Sequence, residues 1–209
     1  VKNNYDKIAK SYDFLSKLVF GNSQKQAQIN QLKYIKDFDR ILIVGGGTGW
    51  IFDEISALNI KHLDITYVEI SKEMILLSKK RNIIGAKVIF INDAVENCNF
   101  DQSFDIILTP FLFDNFLQDK VKVVFKLLNS NLKLNGKWFF VDFNLSSNLN
   151  SYWQKILLQL MYLFFAKIAS VEADKLLDVK TYFKSDFLII EERFYYGNFI
   201  VANVYEKIV

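Results

Sequence analysis

Four of the chain's eight glycines fall in one five-residue run, Gly45-Gly46-Gly47-Thr48-Gly49. Glycine lets a backbone take positive φ and come close to a ligand, and a helix N-terminus presents free amides and a partial positive charge. The run directly follows the β-branched stretch Arg40 to Val44 and directly precedes a helix-patterned one, so it is read as a nucleotide-cofactor turn rather than a plain structural one. Its continuation narrows the choice of nucleotide. A phosphate-binding loop needs Lys-Ser or Lys-Thr after its last glycine, whereas Trp50-Ile51 follows here, which excludes ATP hydrolysis by that route. The dinucleotide fingerprint fits at Gly45 and Gly47 but requires glycine at position 50, where Trp50 stands. A tightly held pyrophosphate is disfavoured. A looser, phosphate-free cofactor is not.

Two carboxylates extend this site. Glu69 closes the next strand-like run, Asp64 to Glu69, where an acid of a doubly wound sheet reaches the hydroxyls of a ribose lying across the first strand. Asp93 follows a third run in Ile91-Asn92-Asp93-Ala94, in a position to accept from an adenine amino group, although Asn-Asp is also ordinary helix-capping sequence. Acid–base chemistry is less visible. The single His62 and single Cys98 sit in polar, loop-like surroundings; a Cys/His metal site is not expected, and an intrachain disulfide cannot form. Asp114, Tyr152 and Tyr196 are the weak candidates for a catalytic base.

The elements that must position these residues alternate. Residues 5 to 20 and 24 to 36 read as two helices separated by Gly21-Asn22-Ser23, with Ser23 as a cap for the second. Strands are expected at Arg40 to Val44, Asp64 to Glu69, Lys87 to Ile91, Phe104 to Leu108 and, after an Asn135-Gly136 turn, Lys137 to Phe143. Helices are expected between them at Thr48 to Leu58, Lys72 to Arg81 (capped by Ser71) and Lys120 to Leu128. Two further strand-like runs, Phe187 to Phe194 and Phe199 to Glu206, flank Gly197-Asn198 as a hairpin. The fold class is therefore α/β: a three-layer sandwich around a seven-stranded, mainly parallel doubly wound sheet that ends in an antiparallel hairpin, with N-terminal cap helices. A single domain is expected over 1–209, divided into a helical cap (1–37), a cofactor-binding core (38–143), a helical lid or substrate segment (144–186) and the terminal hairpin (187–209).

The stretches Ile41-Leu42-Ile43-Val44-Gly45-Gly46-Gly47-Thr48-Gly49, Val68-Glu69-Ile70-Ser71-Lys72-Glu73-Met74 and Asn92-Asp93-Ala94 together resemble the class I S-adenosylmethionine-dependent methyltransferase family. The opening Tyr5-Asp6-Lys7-Ile8-Ala9-Lys10-Ser11-Tyr12-Asp13-Phe14-Leu15 is similar to that of the ubiquinone/menaquinone biosynthesis branch and related small-molecule methyltransferases. The resemblance implies S-adenosyl-L-methionine as cofactor and S-adenosyl-L-homocysteine as product. It implies a cofactor-binding set of Tyr12, Gly45, Gly46, Gly47, Gly49, Glu69, Ile70, Asp93, Ala94 and Thr109, with Thr109 to Phe111 as a pocket wall. The family often carries an acid two positions before the first glycine; Ile43 stands there, so support for the glycine loop must come from elsewhere.

Composition bounds the partners. Half of the chain is apolar and it carries 20 Phe and 10 Tyr, which argues against disorder; the net charge of +3 does not by itself imply nucleic acid, and with its basic residues dispersed and Thr109-Pro110-Phe111-Leu112 lacking an Asn/Asp-Pro-Pro-aromatic pattern, no nucleic-acid partner is expected. Tyr152 to Ala169 is apolar nearly all round and suits a lid, a greasy acceptor or a homodimer contact; its longest hydrophobic stretch, Ile156 to Ala169, is too short for a bilayer span and is interrupted by Gln159 and Lys167, while peripheral membrane contact stays open. Val-Lys-Asn-Asn-Tyr lacks the pattern of a signal peptide, so a cytoplasmic location is expected. The leading expectation is methyl transfer to a small, apolar or aromatic acceptor by in-line displacement. An NAD-dependent oxidoreductase and a non-catalytic cofactor-binding protein of the same fold are the alternatives.

Overall fold

A computed structural model describes residues 5–145, 152–169 and 175–209. Seven strands form one sheet in the order β3-β2-β1-β4-β5-β7-β6. These are β1 (Arg40–Val44), β2 (Leu63–Val68), β3 (Ala86–Ile91), β4 (Phe104–Pro110), β5 (Leu132–Phe143), β6 (Phe187–Tyr195) and β7 (Ile200–Lys207). The first five pair in parallel; β7 runs antiparallel between β5 and β6. This is the expected sheet with its terminal hairpin, and Tyr196, Gly197 and Asn198 turn it with positive φ at all three residues.

The strands are apolar runs because both faces of the sheet are covered. On one face α5 (Gln118–Asn131) buries Val121, Val124, Phe125 and Leu128, spaced for one helical stripe, against Trp138 and Phe140. Each such side chain contributes about 1.5–3 kcal/mol by leaving water. On the other face α3 (Ile51–Ala57) and the segment carrying Leu32 and Ile35 cover Ile41, Ile43 and Ile65. On that same face α4 (Lys72–Ser78) adds Ile75, and a third helical group comprises α1 (Ala9–Phe20), α2 (Ser23–Ile29) and α6 (Tyr152–Ala169). Phe20 of α1 and Leu158 of α6 close a third cluster over Val141, Phe143 and Phe199.

Several boundaries differ from expectation for local reasons. The helix expected over 24–36 stops at Ile29 and resumes as a 3-10 turn, Leu32–Tyr34. Between them buried Gln31 turns onto the sheet and donates from Nε2 to the carbonyls of Phe140 (3.2 Å) and Asn203 (3.0 Å). Ser23 lies within α2 and makes no capping bond, whereas Ser71 caps α4 as expected, accepting from the amide of Met74 at 3.2 Å. Asn135-Gly136 is not a turn ahead of β5 but an irregularity inside it: pairing with β4 jumps from Phe104–Leu132 to Ile106–Lys137, with Asn135 at φ 62°.

The order of strands reverses between β1 and β4, which leaves a crevice at their C-terminal ends. There the cofactor turn, Glu69 and Asp93 all emerge.

Candidate functional site

A cavity of about 810 Å³ fills this crevice. Its floor is Gly45 to Thr48 with Trp50, one side is Val68 to Ile70 with Asp93 to Glu96, and the other is Pro110 to Leu112 with Asp114 to Phe116. Tyr5, Tyr12 and Phe14 from the N-terminal segment and Leu157, Leu160, Met161, Phe164 and Phe165 from α6 enclose it.

The glycine loop is shaped by neighbours that leave no room for a side chain at Gly46 or Gly49 and by positive φ. Gly45, Gly47 and Gly49 have φ of 72°, 64° and 74°. A Cβ on Gly46 would stand 2.5 Å from the ring of Tyr67, which is fully buried in β2. Tyr67 also donates its hydroxyl to the Gly47 carbonyl at 2.8 Å. From the strand end beside it, Glu69 accepts from the amides of Gly47 (Oε2, 3.1 Å) and Ser71 (Oε1, 2.9 Å). Burial raises the Glu69 carboxyl above its ordinary range, and these amides work against that shift.

Ile43 lies in the core, 1% exposed, and gives the loop no polar support. The N-terminal segment supplies it instead. Thr48 donates its hydroxyl to Asp13 of α1 at 2.8 Å to Oδ2 and 3.0 Å to Oδ1. Asp6 accepts from Ser71 Oγ at 2.6 Å and from the Glu73 amide at 3.1 Å, reinforcing the start of α4. Tyr5 donates to Asn115 Oδ1 on the far side, so three polar links tie this segment across the cavity.

On the β4–β5 side, Asp114 occupies the cavity wall and accepts from Asn115 Nδ2 at 2.7 Å. Behind it lies Asp142 of β5, 3% exposed and on the same strand face as Trp138 and Phe140. Its Oδ1 accepts from the Phe143 amide at 2.8 Å, while Oδ2 has no hydrogen-bond partner. Burial and the neighbouring Asp142 charge push Asp114 well above the usual carboxylate range. Burial likewise raises Asp142, to about 7, against the pull of the Phe143 amide and of the Asp114 and Phe113 amides, which lie near the carboxyl without completing a hydrogen bond to it.

Of the residues expected to bind cofactor, Tyr12, Gly45, Gly46, Gly47, Glu69, Ile70, Asp93 and Ala94 meet at this one cavity. Gly49 sits beneath it, where a Cβ would come within 2.6 Å of Ser78. Thr109 points into the core, fully buried, and accepts from Trp138 Nε1 at 2.9 Å; the wall begins at Pro110. Asp93 is exposed, with Oδ1 accepting from the Ala94 amide (2.7 Å) and Asn97 Nδ2 (2.9 Å). Among the three catalytic candidates only Asp114 lines the cavity. Tyr152 is 69% exposed on α6, and Tyr196 donates to the Val19 carbonyl at 2.7 Å. His62 stacks on Phe38 away from the cavity, with centroids 4.8 Å apart, and no metal-ligating cluster occurs among the described residues. Sequence reasoning missed Asp13, Tyr67 and Asp142. Asp142 had a signal, a lone acid inside Trp138-Phe139-Phe140-Val141-Asp142-Phe143.

Among the described residues no helix is long and apolar enough to cross a membrane. Residues 41–136 match the family described as a methyltransferase domain. A curated relative, the ubiquinone/menaquinone biosynthesis C-methyltransferase UbiE of Geotalea uraniireducens (strain Rf4), is 30% identical over 151 residues, which are 69% of this chain and 63% of that protein. The chain thus spans under two thirds of the relative's length. The N-methyltransferase NodS of Bradyrhizobium japonicum WM9, solved in complex with S-adenosyl-L-homocysteine, superposes with a TM-score of 0.63 at 9% identity, covering 88% of this chain and 87% of NodS. An S-adenosylmethionine-dependent methyltransferase from Clostridium acetobutylicum ATCC 824 gives 0.66 at 15% identity over 96% of this chain and 98% of its own. The strand order, the glycine loop with its paired carboxylate, and these likenesses give the chain the class I S-adenosylmethionine-dependent methyltransferase fold, with a methyltransferase-domain match over residues 41–136.

Proposed function

We propose that the chain transfers a methyl group from S-adenosylmethionine to a small organic acceptor. The observation that carries this is a single cavity holding the glycine loop and Glu69 on one side and apolar helix α6 on another. The residues fit the cofactor. Glu69 keeps unused lone pairs after accepting two amides and can take ribose hydroxyls, and the missing Cβ of Gly47 leaves space with nothing nearer than Met74 Sδ at 4.0 Å. Asp93 would accept from the adenine amino group, and Tyr12 with the glycine loop would hold the methionine end. The bound sulfonium supplies an activated methyl. The protein's part is to orient the acceptor in line and exclude water, for which the closely wrapped cavity suffices without covalent catalysis.

Leu157, Leu160, Met161, Phe164, Phe165 and Phe111 favour an acceptor that is at least partly apolar or aromatic. Of the helical cap (1–37) and the segment 144–186, parts of which lie outside the described residues, α1 and α6 would act as lids over the core (38–143), with the hairpin (187–209) completing the sheet. The exposed Tyr152, Ile156, Leu160 and Leu163 of α6, beside Phe14 and Leu18 of α1, are where the expected membrane or homodimer contact would run.

Calorimetry with S-adenosylmethionine, S-adenosylhomocysteine and NAD tests the assignment. The first two should bind and NAD should not, with affinity falling at least about tenfold in Glu69→Ala through loss of charge-assisted hydrogen bonds. Preferential NAD binding would establish the oxidoreductase alternative instead. Binding without turnover over a panel of hydroxyl, amine and carbon acceptors would favour the non-catalytic one.

A further inference from the structure

Asp114 and Asp142 are two carboxyl groups at one corner of the cavity, one on its wall and one directly behind. Asp142 is 3% exposed and its Oδ2 has no partner, although a buried carboxylate oxygen ordinarily has one. The groups facing Asp114 are the hydroxyls of Tyr5 and Tyr12, both kept neutral by burial, and the amide of Asn115. Asp142 faces the amides of Phe113, Asp114 and Phe143. Among the described residues no cation offsets either carboxyl. Of the cavity's lysines, Lys120 is paired with Glu96 at 2.6 Å and Lys25 lies over the Trp50 ring at 4.8 Å, and neither they nor Lys17 act on the pair. Two adjacent anions cannot both persist in such a place, so the pair retains a proton and titrates as a unit.

We propose that Asp114 and Asp142 form a proton store, which a bound sulfonium empties and which the methyl acceptor's own proton refills. This rests on the cofactor assignment above. A positive charge brought into the cavity favours the doubly ionised pair, and a neutral thioether does not. As the methyl leaves sulfur, the electron pair of the broken carbon–sulfur bond stays on sulfur and cancels its charge. The pair regains its basicity at the step in which the acceptor's lone pair binds the methyl, and an Asp114 oxygen then receives the proton from the acceptor atom. The acceptor class follows: a nucleophile with a proton to lose, such as a hydroxyl, a primary or secondary amine or an acidic carbon, rather than a tertiary amine or thioether.

The test is calorimetric titration of the protein at pH 7 with S-adenosylmethionine and with S-adenosylhomocysteine, each in phosphate and in Tris, whose ionisation heats differ. The expected result is greater proton release on binding the sulfonium than on binding the thioether, since only the sulfonium's charge favours the doubly ionised pair. That excess should vanish in Asp114→Asn and shrink in Asp142→Asn, which separates the pair from ionisation of the ligands' own amino groups. An excess equal in wild type and both variants overturns the proton store while leaving the cofactor assignment standing. Failure of either ligand to bind wild type overturns both. Should Asp114→Asn not fold, as judged by circular dichroism, Asp142→Asn decides alone.

Discussion

The two sides of the cavity are built by opposite means. On the β1–β2 side the surface is mostly backbone, set by glycines and fixed by Tyr67, Glu69 and Thr48 through bonds of 2.8–3.1 Å. On the β4–β5 and α6 side it is side chain: Phe111, Leu112, Leu157, Met161 and Phe165, with one hidden carboxyl pair as its strongest polar feature. Backbone fixed by buried neighbours is a rigid, narrowly specified surface. Apolar side chains on a half-exposed helix can be exchanged for others of similar volume at little cost. The same fold can therefore hold one cofactor strictly while its other side is rebuilt for different acceptors.

The strongest way to break this contrast is at Gly46. Gly46→Ala drives a Cβ against a ring with no room to move, and should cost about 2–3 kcal/mol or more in thermal unfolding and abolish cofactor binding by calorimetry. A comparable Leu157→Met change on the other side should leave both nearly unaltered.

A smaller effect sharpens the contrast from the acid side. The folded-state Asp142 carboxyl lies at about 7, above its unfolded value of 3.8, so its protonation stabilises the fold at low pH and that contribution is lost as pH rises from about 4 through about 7. Asp142→Asn removes the loss. Its melting temperature should gain on that of wild type by a few degrees between pH 5 and pH 8 in a melting series. A constant difference across that range would mean that the carboxyl is ionised in the folded protein.

The smallest effect is expected at Thr48→Val, which removes one bond between the loop and α1 and should cost about 1 kcal/mol. Hydrogen exchange should quicken at residues 9–20 while β1 and β2 keep their protection.

The backbone-built side was largely legible in the amino-acid sequence, because glycine at a sharp turn and acids at strand ends are local demands. Gly45 to Gly47, Glu69 and Asp93 were found from such demands and meet at the cavity. Residues whose partners lie far along the chain were harder to see. Asp13 reaches Thr48 only once α1 has closed over the sheet, and Asp114 and Asp142 become a pair only when β4 and β5 are adjacent. Thr109 shows the converse: the family resemblance implied a place in the pocket wall after the strand, but β4 runs on to Pro110 and its alternation turns the Thr109 side chain into the core, towards Trp138. The break at Gln31 was hidden for a related reason, since the helical pattern of 24–36 says nothing about the two sheet carbonyls that the side chain satisfies.

The bond between Thr48 and Asp13 also bears on timing. Were the loop braced by an acid at position 43, within its own strand, the brace would remain whether the N-terminal helix was closed or lifted. Here the brace belongs to that helix, so lifting α1 from the cavity would also release the hydroxyl of the loop. Opening by that route and loosening of the loop would then be a single event.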